Sequence, residues 1–158
     1  SSFAMDPKVK CGANYINGRY ALLEAKSKGA DLPLLKNKDG YISESSGACV
    51  FLIKNEEVLT PSLDCDILES ITRDTVIKIL LENNYNVEER LILEEELTEC
   101  DEIFLCGSAA EITPIKLIEN IDFKIGDVTK FIFHEYQLAI TAQSYQNYSW
   151  TTKLEIKD

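Results

Sequence analysis

Residues 37–54 read Asn37-Lys38-Asp39-Gly40-Tyr41-Ile42-Ser43-Glu44-Ser45-Ser46-Gly47-Ala48-Cys49-Val50-Phe51-Leu52-Ile53-Lys54. Asn37 to Gly40 is a turn signal between strand-type runs at Leu32 to Lys36 and Tyr41 to Glu44, and it predicts a hairpin. Cys49 to Lys54 and Val58 to Thr60 repeat the pattern around Asn55-Glu56-Glu57. A meander of strands is therefore expected. Outward from it, Ser70 is a competent N-cap for a helix from Ile71 to about Asn84, carrying Val76, Ile77, Leu80 and Leu81. Asn14 to Lys28 has Ile16, Tyr20, Leu23 and Ala25 near helical spacing and stops at Gly29. A strand over Val87 to Leu93, a short acidic helix over Glu94 to Thr98 and a strand over Glu102 to Cys106 follow. Ile112 to Ile118 and Phe123 to Ile125 read as extended. Val128 to about Tyr145 reads as an amphipathic helix with Phe131, Ile132, Tyr136 and Ala139 inward. No repeat or linker divides the chain, so one mixed α/β domain is expected.

Composition narrows the function classes. The 158 residues are 45% hydrophobic and 27% charged, ordinary for a globular protein with a full core. A net charge of −11 argues against nucleic acid and anionic membranes as partners, because both require basic surface. Small molecules and other protein chains fit better. The five cysteines, Cys11, Cys49, Cys65, Cys100 and Cys106, show no C-x-x-C spacing, which favours reduced thiols in a cytoplasmic protein over a disulfide framework or zinc site. The sequence offers no long apolar run for a membrane span.

Four short motifs carry chemistry. Lys10 opens Lys10-Cys11-Gly12-Ala13-Asn14-Tyr15 just before a helix, and Glu44 ends a strand. Ser70, Ile71 and Thr72 lie at a helix start, where free N–H groups and the positive end of the dipole suit a phosphate dianion. Ser108 adds a hydroxyl after Gly107, with the Ala109 amide beside it. Each alone has a plainer reading: a solvated lysine, a strand-end acid, an N-cap, a tight turn. Together they supply what pyridoxal 5′-phosphate needs, namely an amine for a Schiff base, an acid for the ring nitrogen, and donors for the phosphate. Tyr15 would lie near the ring oxygen. His134, on the last helix, reads as exposed.

The set resembles the fold-type IV pyridoxal-phosphate enzymes, and within them the branched-chain amino acid aminotransferases, from about Lys8 to the last helix. The resemblance implies a D-amino-acid aminotransferase-like fold, mixed α/β, with mostly antiparallel strands in a pseudo-barrel and flanking helices. It implies that residues 1–158 are the cofactor-binding C-terminal domain, with the family's smaller N-terminal domain and its phosphate-binding arginine missing. By the resemblance Lys10 matches the Schiff-base lysine, Tyr15 the tyrosine at the ring oxygen and Glu44 the acid at the pyridine nitrogen. Leu68 matches the apolar residue on the ring face, Ser70, Ile71, Thr72 and Ser108 the phosphate turns, and Ser108 and Ala109 the turn that meets the substrate carboxylate. The implied reaction is two-step transamination of leucine, isoleucine or valine with 2-oxoglutarate, in a homodimer or higher oligomer. D-amino-acid aminotransferases and aminodeoxychorismate lyases share the fold; Asn14-Tyr15 and Ala109-Ala110 favour the branched-chain branch. The chain departs from the pattern where Glu44-Ser45-Ser46-Gly47-Ala48-Cys49 replaces Glu-Gly-x-Gly-Glu-Asn, and where Glu69-Ser70 replaces proline-glycine.

Overall fold

The computed structural model describes residues 5–152 and residue 154. Nine strands and three α-helices follow in the order α1 (Tyr15–Ser27), β1 (Leu34–Lys36), β2 (Ile42–Ser45), β3 (Cys49–Lys54), β4 (Glu57–Pro61), α2 (Ile71–Glu82), β5 (Val87–Arg90), β6 (Glu102–Gly107), β7 (Glu111–Ile115), β8 (Leu117–Ile118), β9 (Ile121–Asp122) and α3 (Asp127–Ile140). The central sheet has the order β5-β4-β3-β6-β7, antiparallel except for the β4–β5 pair. Parallel neighbours need a crossover, and α2 supplies it. The expected mixed architecture with mostly antiparallel strands is present, but among the described residues the strands do not close into a barrel. They form this open sheet and two small two-stranded ones, β1–β2 and β8–β9.

Both faces of the sheet are covered, which explains why β3 and β6 are nearly continuous apolar runs rather than alternating ones. Cys49, Phe51 and Ile53 pack with Phe104, Cys106 and the inner faces of α2 and α3. Val50 and Leu52 point the other way, toward Ile42, Leu59, Ile92, Leu97 and Phe123. Phe51 and Phe104 are register partners with rings stacked at 5.0 Å. Gly40 at φ +89° closes the first hairpin, and the Asn37 side chain accepts from the Asp39 and Tyr41 amides. Asn55 and Glu56, both at positive φ, close the second.

Several boundaries differ from the sequence reading. β5 stops at Arg90 instead of Leu93, because the chain turns away so that Ile92 O can accept from Ile42 N. Phe123 to Ile125 is not a strand; the hairpin lies earlier, over Leu117–Asp122, and Phe123 is buried while its amide donates to Lys116 O. α3 ends at Ile140, ahead of Ala142 at φ +56°. α1 forms as expected, but Ile16, Tyr20 and Leu23 are exposed and none of its residues is fully buried.

Two buried charges secure the helices. The Arg73 guanidinium donates to Pro61 O at 2.8 Å and Glu89 Oε2 at 2.7 Å, tying α2 to β4 and β5. Glu102 accepts from the Thr129 amide at 2.8 Å and the Val128 amide at 3.4 Å, so a carboxylate sits at the positive end of α3. Gly126 leaves room for it: a Cβ there would fall 2.1 Å from Glu102 Oε1. Glu102→Ala is therefore expected to lower unfolding free energy by about 1–3 kcal/mol, the cost of orphaning buried amides, and Glu102→Gln, which keeps an acceptor, by less. Urea midpoints at equal m-value check this, and an unchanged midpoint for Glu102→Ala would show that the cap is idle.

Candidate active site

One end of the sheet gathers the motifs. Because Cys49 is in register with Cys106, the turn before β3 and the turn after β6 stand side by side. A Cβ on Gly107 would lie 3.2 Å from Gly47 O, so the two turns approach as closely as glycine permits. The start of α1 joins them. Ser46 Oγ donates to Gly18 O at 2.9 Å, and a Cβ on Gly47 would be 3.9 Å from the Tyr15 ring. Ser45 Oγ donates to Pro33 O and Ser43 Oγ to Asp66 O, so each buried hydroxyl of β2 has a partner. The serines that replace family residues at Ser45 and Ser46 thus tie this turn to its surroundings.

Glu44 lies half-buried in β2, and one carboxylate oxygen accepts from the Leu68 amide at 3.2 Å. Burial pushes its pKa up from the ordinary 4.5, and the Leu68 N–H opposes that rise. Leu68 is itself half-buried, two residues before the N-cap of α2. Ser70 is that N-cap: its hydroxyl accepts from the Arg73 amide at 3.4 Å. Ile71 is exposed and Thr72 buried, so the first turn of α2 points its isoleucine out and its threonine in.

Ile71, Thr72 and Ser108 meet along one cavity of about 300 Å³, with Thr75, Tyr136 and Trp150 completing the wall. Of the four residues assigned as phosphate donors, Ile71, Thr72 and Ser108 therefore share one concavity at a helix N-terminus, while Ser70 does not line it. Tyr136 and Trp150 escaped the sequence reading as site residues. Tyr136 looked like ordinary core on α3, and burial pushes its phenol pKa up. Trp150 is delivered by an irregular tail, where it stacks on Tyr148 at 4.4 Å, and no periodic signal marks such a position. Lys10 and Ala109 are exposed on their loops, and Tyr15 is 45% exposed at the first position of α1. His134 is exposed on α3, away from these groups in the sequence of elements.

Comparison with known proteins follows the same lines. The model of the family described as amino-transferase class IV matches residues 3–118. A probable branched-chain-amino-acid aminotransferase of Aquifex aeolicus is 40% identical over 147 residues, 90% of this chain and 47% of the relative. The branched-chain-amino-acid aminotransferase of Escherichia coli K12 is 33% identical over 145 residues, again 90% and 47%. Among solved structures, the branched-chain amino acid aminotransferase of Thermobaculum terrenum in its PLP form superposes with a TM-score of 0.93 at 36% identity, covering 96% of this chain and 51% of that one. The chain belongs to the class IV aminotransferase family. It spans about half the length of the relatives it matches.

The raised pKa of Glu44 has a thermodynamic consequence. In the unfolded chain the carboxyl ionises at its ordinary value, and in the folded protein it ionises at higher pH, so folded Glu44 binds the extra proton. Stability is therefore undiminished below 4.5 and falls as pH rises through the folded pKa. Glu44→Gln keeps an acceptor for Leu68 and removes this loss. The variant should unfold at higher urea than the parent at neutral pH, with the gap closing in acid. A gap that widened in acid would mean that Glu44 is stabilised as the anion.

Proposed function

We propose that this chain is the cofactor-binding C-terminal domain of a pyridoxal-phosphate-dependent branched-chain amino acid aminotransferase. The observation that carries the reading is that a half-buried carboxylate is held by the amide of Leu68, two residues before a helix N-terminus whose first turn lines a cavity with Ser108. The donor set fits the cofactor: an acid of raised proton affinity suits a pyridine nitrogen, and amides with hydroxyls suit a phosphate. When bound, pyridoxal phosphate supplies the electron sink for breaking the bonds at the substrate α-carbon. Lys10 would contribute the amine that attaches the cofactor and carries the α-proton. Glu44 would hold a proton at the ring nitrogen, Leu68 would pack on the ring face, and Tyr15 would hydrogen-bond the ring oxygen. Ser70, Ile71, Thr72 and Ser108 would bind the phosphate. Ser108 and Ala109 would orient the substrate carboxylate.

The relatives' names support the branched-chain amino acids, leucine, isoleucine and valine, as amino donors; 2-oxoglutarate is the acceptor that the family resemblance implies. The whole protein, in this reading, includes a smaller N-terminal domain that closes the pocket and works as a cytoplasmic homodimer. No helix among the described residues is long and apolar enough to cross a membrane.

Borohydride treatment of the chain loaded with pyridoxal phosphate should fix the cofactor on Lys10, read by peptide mapping; a label on Lys26 or Lys36 instead would remove the assignment. In the full-length enzyme Glu44→Gln should slow turnover by about a hundredfold or more, some 2.7 kcal/mol of barrier, with the fold retained. Near-normal turnover would reduce Glu44 to a structural acid.

A further inference from the structure

Beneath Glu44 and the N-cap of α2 stands a pair of thiols that the proposed chemistry does not use. Cys49 and Cys106 face each other directly across the central antiparallel strands β3 and β6, and both are buried, at 4% and 0% exposure. Directly opposed residues of such a pair have Cα atoms about 4.5–5.5 Å apart, inside the range that a disulfide spans. Cross-strand opposition is thus a geometry that can close without moving the backbone far. The Cys49 thiol also donates to Leu68 O at 3.9 Å, while the amide of the same Leu68 donates to Glu44 at 3.2 Å. One residue therefore connects the thiol pair with the acid of the site.

We propose that Cys49 and Cys106 form an oxidisable dithiol, a modification site for small hydroperoxides, whose closure to a disulfide releases the Leu68 peptide that holds Glu44. The two thiols are not equivalent. The Cys106 thiol beside it, with help from Ser70 and Arg73, stabilises the Cys49 thiolate and lowers its pKa, whereas Cys106 is pushed well up by Cys49 and by burial. Cys49, the less completely buried of the two at 4% against 0% and the one in contact with Leu68, is the attacking sulfur and Cys106 the resolving one. In the first step the Cys49 thiolate attacks one peroxide oxygen; an S–O bond forms, the O–O bond breaks, and hydroxide leaves. In the second the Cys106 sulfur attacks Cys49; the S–S bond forms, the S–O bond breaks, and the hydroxyl leaves as water with the Cys106 proton. The dithiol loses two electrons and two protons, and hydrogen peroxide becomes two waters.

Closure removes the only hydrogen that Cys49 offers to Leu68 O and draws its sulfur toward β6. Leu68 then loses the contact on its carbonyl, so its N–H, on the adjoining peptide unit, is held less firmly against Glu44. This consequence for cofactor binding rests on the function proposed above. Formation of the cross-link does not.

The test treats the reduced chain with hydrogen peroxide, alkylates remaining thiols under denaturing conditions and maps the digest by mass spectrometry. A Cys49–Cys106 cross-linked peptide is expected, with Cys11, Cys65 and Cys100 alkylated, and neither Cys49→Ser nor Cys106→Ser should give it. Titration with pyridoxal phosphate followed by absorbance should show the oxidised chain binding about tenfold more weakly, the size of one lost hydrogen bond to a charged group. Dithiothreitol should restore affinity, and the double serine variant should not respond to peroxide. Cross-links among other cysteines, or overoxidation of Cys49 with Cys106 still free, would overturn the site. A cross-linked chain that binds as the reduced one does would overturn the coupling to Glu44. If neither state binds the cofactor, the proposed function fails, and the cross-link alone upholds or sinks the dithiol.

Discussion

The pairing of β3 with β6 is the constraint from which the site follows. Five consecutive register pairs, from Cys49↔Cys106 to Ile53↔Glu102, lie between strands that are buried on both faces. A slip by one residue would exchange the two faces, sending Phe51 and Phe104 away from the helices and Val50 and Leu105 into them. The stacked Phe51 and Phe104 rings penalise that slip by losing both area and ring contact. With the register fixed, Gly47 and Gly107 are forced together. The turn that follows Glu44 and the turn that bears Ser108 then belong to one surface.

Leu68 is the second determinant, although its side chain is not the reason. Its amide meets Glu44 and its carbonyl meets Cys49, and two residues later Ser70 caps α2. The segment from Asp66, at φ +59°, to Ser70 is thereby pinned between strand and helix. Arg73 fastens the other side of the same helix turn to Pro61 and Glu89. A helix N-terminus can bind an anion only if its amides point at a fixed place, and these contacts, none of them in the first turn's exposed face, fix that place.

Much of this was legible from local signals and little of the rest could have been. Turns such as Asn37 to Gly40 and the Ser70 cap are decided by a few adjacent residues, so they read directly from sequence. The four motifs of the proposed site were read in the same way, each being a short run with its own chemistry. What sequence could not supply was anything set by distant partners. β5 ends early because Ile92 is taken by Ile42, and Leu117–Asp122 outcompetes Phe123–Ile125 as a hairpin because Phe123 is drawn into the core. Trp150 reaches the cavity through an irregular tail. The opposition of Cys49 and Cys106, 57 positions apart in the sequence, is a property of pairing alone. The apolar spacing of α1 announced the helix that forms but not its exposure, since a periodic apolar face does not name the surface that covers it.

That last point bears on how the site is held. α1 has 13 residues, none fully buried, and isolated helices of about that length are marginal in water. An exposed Glu24–Lys28 pair adds little. What ties the helix to the sheet end is the Ser46 hydroxyl on Gly18 and the Tyr15 ring beside Gly47. The acid and the phosphate-type cradle therefore stand beside the packed core, whereas Lys10 stands in the exposed loop before α1, where opening costs less. Under the proposed function, a lysine that both anchors a cofactor and moves a proton needs some freedom to swing, and its place outside the packed sheet allows that, whereas the groups proposed to hold charge are fastened by contacts to the strands and to α2.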